Sequence, residues 1–294
     1  MVMEKTIHKI YIMFLLGIAV LSSVIIGIRG AGYYGTPEVE RPFHPQYDTL
    51  KPTGVEGHGF GIVGTLMITF GVILYSSRKR ARSLANMGKI RYFLEFHIFL
   101  CLLGPILVVY HTTFKIGGLV AVSFWSMAAV VLSGFIGRYF YVQIPRGIHG
   151  NELSVAELQK ENGALAETLT KHFGLSADFL IWIDAIAVPP KQAAQMSLME
   201  VINFFIVNDV TRRAKLRGIF TRLEQRGMQA QVIQRLKRVA ARRVMLDRRI
   251  AFLEQFKQIF HYWHVVHLPF SIVMFVILFV HVGVAVAFGY TWIW

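Results

Sequence analysis

The sequence predicts an all-α membrane protein: a five-span transmembrane helix bundle with a cytoplasmic helical insertion. Three observations lead there. Hydrophobic residues make up 54% of the 294 positions and mean hydropathy is +0.49, more apolar than a soluble fold carries. The formal net charge is nevertheless +14, so charge and apolar residues must occupy different segments. The apolar residues also gather into five runs, most near the roughly 20 residues that cross about 30 Å of hydrocarbon. A bilayer with basic residues on its cytoplasmic side reconciles all three. Nucleic-acid binding would account for the charge but not for the runs, so no nucleic-acid partner is expected.

The first run, residues 10–28, follows Lys5 and Lys9. It is longer than the roughly 7–15 apolar residues of a signal-peptide core and reads as a retained span. Residues 29–57 hold Pro37, Pro42, Pro45 and Pro52 and show no helical period, which predicts an ordered loop or a set of turns. The second span covers residues 60–75 and stops at Ser76-Ser77-Arg78-Lys79-Arg80-Ala81-Arg82. The third covers about 92–114, Gly117-Gly118 turns the chain, and the fourth covers 119–141. The fifth occupies about 265–290.

The loops set the expected orientation. The 78–89 loop is short and very basic, whereas the 115–118 turn carries only Lys115. Positive-inside counting puts the N-terminus in the cytoplasm, 29–57 outside and 78–89 inside. The third helix then runs outward, the fourth inward and the fifth outward, with the C-terminus outside. Tyr290, Trp292 and Trp294 suit an interfacial anchor at that surface. The expected location is the inner (cytoplasmic) cell membrane, in direct contact with lipid.

Three regions follow: spans 1–4 in residues 1–141, a basic insertion in 142–262, and span 5 with the outer C-terminus in 263–294. Within the insertion, Ser154-Val155-Ala156-Glu157 reads as a capping box. Pro189-Pro190 breaks the chain and Gly227, after Arg226, marks a turn. No Gly or Pro occurs from Met228 until Pro269, which predicts one long helix running into the fifth span. Its Arg235, Lys237, Arg238, Arg242, Arg243, Arg248 and Arg249 suit a solvated face, a hold on anionic lipid headgroups, or a docking surface for an acidic partner. No nucleotide-binding or metal-thiolate motif occurs there, so no catalytic residue is assigned.

The single cysteine, Cys101, excludes an internal disulfide, a CxxCH heme attachment and a thiolate-bound iron–sulfur cluster. It reads as a small buried hydrophobe. Any redox cofactor must be held noncovalently, and histidine is the available ligand. His97 and His111 lie 14 residues apart in the third span, and His267 and His281 lie 14 apart in the fifth. Fourteen residues turn an α-helix by about 1400°, leaving both side chains within about 40° of one face and roughly 21 Å apart along the axis. A lone intramembrane histidine is commonly a hydrogen-bonded packing residue, because burying it is costly. Four with matched spacing on two parallel helices predict two sandwiched heme irons. His97 and His267 pair near the cytoplasmic side, and His111 and His281 near the opposite side. Two imidazoles per site suit a porphyrin better than a tetrahedral ion.

His261, His264 and His267 recur every three residues, but His264 to His281 is 17, about 100° off a shared face. His267 is therefore the expected ligand. His261 and His264 are left as quinone or propionate contacts, or as interfacial polar residues. His58, within Gly57-His58-Gly59-Phe60-Gly61, suits an outer quinol pocket or the surroundings of the outer heme. The glycines beside it would let a macrocycle or a neighbouring helix approach. Arg91, Arg138 and Arg146 at the inner ends of spans suit heme propionates or simple snorkelling. Pro105 between the two ligands is expected to kink its helix.

The pattern His97-x13-His111 and His267-x13-His281, on helices flanking one intervening span, resembles the diheme membrane cytochromes b. These include the cytochrome b of quinol–cytochrome c reductases and, more loosely, the ferric-reductase-like and respiratory gamma-subunit families. The likeness covers about residues 90–141 and 263–290. It implies two noncovalent hemes b, one above the other, with quinone sites near each face. It further implies the heme-b subunit of a respiratory oxidoreductase, passing electrons between a quinone pool and partner subunits carrying iron–sulfur, flavin or multiheme centres. Such partners would dock near the cytoplasmic insertion. The chain departs from the first family in its long insertion and in lacking a Pro-Glu-Trp-Tyr quinol motif. It departs from ferric reductases in lacking flavin and nicotinamide domains. The other class of function is a non-redox membrane assembly or transport protein whose intramembrane histidines bind no heme.

Overall fold

The computed structural model describes residues 2–84, 87–118, 120–145, 153–173, 195–201 and 229–290, with 181, 193, 203, 204, 218, 220 and 221. Arg146, Pro189-Pro190, Arg226, Gly227, Met228, Trp292 and Trp294 lie outside the described residues. Among those described, every regular element is helical. In order they are α1 (Val2–Arg29), α2 (Ala31–Gly35), a 3-10 turn at Arg41–Phe43, α3 (Tyr47–Leu50), α4 (Val55–Arg80), a 3-10 turn at Arg82–Leu84, α5 (Ile90–His111) and α6 (Val120–Gln143). Then come α7 (Val155–Glu167), a π-helical turn at Thr168–His172, α8 (Ala230–Ala251) and α9 (Leu253–Ala287). Among the described residues, five helices are long and apolar enough to cross a membrane, fitting a multi-pass membrane protein. Their outer faces expose Ile10, Phe14 and Leu21 on α1, and Val276, Phe279 and Val280 on α9. Rows of large apolar side chains of this kind suit lipid, not water.

The chain forms two compact units, residues 1–136 with 265–294, and residues 137–264. In the first, α4 and α5 pack most closely, and glycine is the reason. A Cβ on Gly64 would lie 2.7 Å from the Gly104 carbonyl oxygen, and one on Gly71 would lie 3.0 Å from Leu100 Cβ. Gly57, Gly64 and Gly71 recur every seven residues and so share one face of α4. Small residues at such a seam let two backbones approach and gain dispersion contact, which is how helices associate in lipid. Gly64→Val is expected to cost about 1–3 kcal/mol by overpacking, measured as a lower Tm in detergent. An unchanged Tm would show that the seam is looser than these distances imply.

Other contacts tie the remaining spans to this pair. Tyr110 donates to Ser23 O at 3.3 Å and Tyr11 to Tyr92 O at 3.4 Å, fastening α1 to α5. Ser123 donates to Met274 O at 3.1 Å, joining α6 to α9, and Ile68, Met127 and Met274 form a small buried cluster. The 30–54 segment is a series of short helical turns, as its prolines predict. Arg41 holds it by donating to Thr36 O (2.9 Å), Tyr34 O (3.2 Å) and Thr113 O (2.6 Å).

In the second unit, the expected capping box is present. Ser154 Oγ accepts from Glu157 N at 3.3 Å, and Glu157 Oε2 accepts from Ser154 N at 2.8 Å. The bonds that Ser154 N and Oγ donate to Glu157 Oε2 hold its carboxyl below its usual range. The core gathers Leu158, Leu246, Phe252, Phe256 and Ile259 with Phe140 of α6 and Ile144 just after it.

Three expectations are corrected. The single helix expected from Met228 into the fifth span is two helices, broken at Phe252, whose φ of −111° and ψ of 16° leave the α region. Burial of the Phe252 ring against Phe204 and Phe256 accompanies the step, with no Gly or Pro involved. The second span opens at Val55, not near 60, because Gly57, Gly59 and Gly61 pack inside the helix instead of ending it. The third ends at His111, since Thr113 and Phe114 turn back with φ of 51° and 63°. α5 itself continues unbroken through Pro105.

Candidate functional site

Both α5 histidines meet the backbone of α4. His97 Nδ1 lies 3.1 Å from Gly71 O, and His111 Nδ1 lies 2.9 Å from Gly57 O. The acceptors are 14 residues apart, like the histidines, so one helix pair makes the same bond twice. A carbonyl oxygen only accepts, so Nδ1 carries the proton and the lone pair sits on Nε2. The missing side chains of α4 make room for this. A Cβ on Gly61 would lie 2.8 Å from His111 Nδ1. Tyr75 stacks on the His97 ring, with centroids 5.3 Å apart and planes at 26°.

A serine plays the corresponding part for α9. His267 Nδ1 lies 2.7 Å from Ser133 Oγ, and that hydroxyl donates to Val130 O at 2.9 Å. With its one proton used, Ser133 Oγ accepts from His267 Nδ1, and the lone pair again falls on Nε2. Along α9 the less exposed positions include His267, Ser271, Met274, Leu278, His281 and Ala285, a stripe of helical period that contains both histidines. The His58 ring centroid is 6.2 Å from that of His111.

No family model, curated protein or solved structure matches the chain. The chemistry of the donor set must therefore be read from the residues alone. Among the described residues, no three or more of His, Cys, Asp and Glu gather around a common point as a bare metal ion would require. An imidazole that presents Nε2 suits axial ligation of an iron whose remaining ligands come with a macrocycle. Carbonyl and hydroxyl acceptors on Nδ1–H fix ring orientation and raise the basicity of Nε2.

The other sequence candidates are engaged differently. His261 is exposed. His264 Nδ1 lies 3.0 Å from the carbonyl of Phe260 on its own helix, and the ring stands edge-on to Phe260 and Trp263. Arg91 donates through Nε to Glu95 at 3.0 Å, where His8 also approaches the same carboxylate oxygen at 3.3 Å. Arg138 lies over the Tyr141 ring, 5.9 Å from its centroid. Cys101 Sγ lies 3.5 Å from His97 Nδ1, a contact its reading as a plain hydrophobe did not include. Ser133, Tyr75 and the Gly57 and Gly71 carbonyls were also missed. The seven-residue glycine repeat, in step with the 14-residue histidine spacing, is the signal that would have found the last two.

Proposed function

We propose that the chain is the heme-b-binding membrane subunit of a respiratory oxidoreductase. It would hold two noncovalent hemes b and pass electrons within or across the bilayer between a quinone pool and partner redox subunits. One observation carries the reading: three of the four spaced imidazoles have Nδ1 beside an acceptor that leaves Nε2 as the ligand atom. His264 also turns Nδ1 to a carbonyl, on its own helix, so what supports the reading is the repetition: donors and acceptors both 14 residues apart on one helix pair.

Bound heme b supplies reversible one-electron chemistry. The chain's own part is to place ligands and keep them still. His97 and His267 would ligate one iron, and His111 and His281 the other. The Gly71, Gly57 and Ser133 oxygens hold the rings against rotation. His58, beside His111, is placed to contact a quinone or a propionate at the outer site. His261, His264, Arg91 and Arg138 are each further candidates for a quinone or propionate contact. Positive-inside counting puts the N-terminus in the cytoplasm of an inner-membrane protein. Partner subunits would dock on the insertion, whose basic α8 leads directly into the helix bearing His267.

Pyridine hemochrome analysis of the purified protein should give close to two hemes per chain. Acid acetone should extract all of it, because no thioether link is available. A heme-free preparation from a heme-replete host would instead favour the non-redox assembly or transport reading.

A further inference from the structure

The second unit contains a cavity of about 220 Å³ that the electron-transfer reading does not use. It is smaller than the roughly 300–1,000 Å³ of pockets that enclose a drug-sized ligand, so it suits a headgroup whose tail stays outside. Leu158, Met245 and Leu246 supply apolar wall. The charged lining is Arg242, Arg249 and Glu161, two cations against one carboxylate. Arg242 is ion-paired to Glu161, so the lining carries one positive charge in excess. Arg249 Nη2 donates to Val142 O at 3.0 Å, while its buried Nε has no hydrogen-bond partner among the described residues. A buried donor left unmade costs stability unless something fills the place.

The position of the cavity narrows the ligand. Val142 is in the last turn of α6, a candidate membrane span that ends at Gln143, and Pro145 lines the cavity just beyond it. The cavity therefore adjoins the end of a candidate membrane span, where lipid headgroups would lie. A net single positive charge matches a phosphodiester monoanion, and the apolar wall matches the glycerol and first methylenes that follow it.

We propose that this cavity is a headgroup site for an anionic phospholipid, with Arg249 and Arg242 on the phosphodiester and Leu158, Met245 and Leu246 against the glycerol. The inference is independent of heme binding. The test uses the full chain in phosphatidylcholine vesicles with or without phosphatidylglycerol, and counts phosphatidylglycerol retained after detergent washing. Arg249→Gln should weaken retention by roughly tenfold, the loss expected for one charge-assisted bond, and Arg249→Lys should restore part of it. Arg238→Gln removes the same charge from an exposed position on α8 and should change nothing. Equal losses from both Gln variants would mean diffuse attraction and overturn the site, as would full retention by Arg249→Gln. Inorganic phosphate that displaces the lipid at matched concentration would assign the cavity to free phosphate instead. A second measurement needs no variant. Phosphatidylglycerol with a photoreactive headgroup should label wild-type peptides containing residues 153–161 and 242–249, and labelling confined to other segments would overturn the proposal.

Discussion

Alanine at His267 is expected to remove one heme and halve the hemochrome signal, whereas alanine at His264 should leave both hemes in place. The two imidazoles are three residues apart on one helix, so composition and depth barely distinguish them. Hydrogen bonding does. His264 turns Nδ1 to the carbonyl of Phe260 one turn back on its own helix. His267 engages Ser133 of α6 and lies on the inward stripe with His281. Ser133→Ala makes a graded version of the test. Loss of a ligand's hydrogen-bond partner typically costs roughly 10–100-fold in metal affinity, so this variant should keep its heme on purification yet lose it faster to apomyoglobin. If His264→Ala alone loses heme, the register of α9 is wrong and the pairing of His267 with His97 falls with it.

The five spans were legible because hydropathy over a 20-residue window is a sum, and sums survive local errors. The histidine faces were legible for a related reason: a 14-residue interval nearly closes four helical turns, so sequence spacing alone places both rings on one side. What holds those rings was not legible. The partners of His97 and His111 are backbone carbonyls, which every residue carries, and only the absence of Cβ along α4 marks where a ring can reach them. Ser133 is an unremarkable small residue in an apolar span until α9 is set beside α6. The break at Phe252 also left no trace in composition. There the burial of one aromatic ring outweighs the helical preference of the surrounding residues, as tertiary packing often does.

The same distinction separates the two kinds of glycine in α4, and a second large effect follows from it. Gly61→Val is expected to leave one heme per chain, with the heme ligated by His97 and His267 retained and the other lost. Already at the Cβ, a side chain here would lie 2.8 Å from His111 Nδ1, and the branched methyls would fill the path from that ring to Gly57 O. The ring must then rotate and lose its Gly57 acceptor, so Nε2 would no longer be held in place as a ligand. Gly64→Val is the informative comparison. Its Cβ meets Gly104 O and Val108, not a histidine, so it should lower the stability of the whole α4–α5 seam without favouring either heme. Gly17→Val, with nothing within 4 Å, should do neither. Reduced-minus-oxidised spectra at low temperature, resolving the two α-bands, would count the hemes and identify which remains. Retention of both hemes by Gly61→Val would remove His111 from the ligand set. Loss of both by Gly61→Val, with Gly64→Val intact, would mean that the two irons are not held independently, contrary to a site built twice on the same pair of helices.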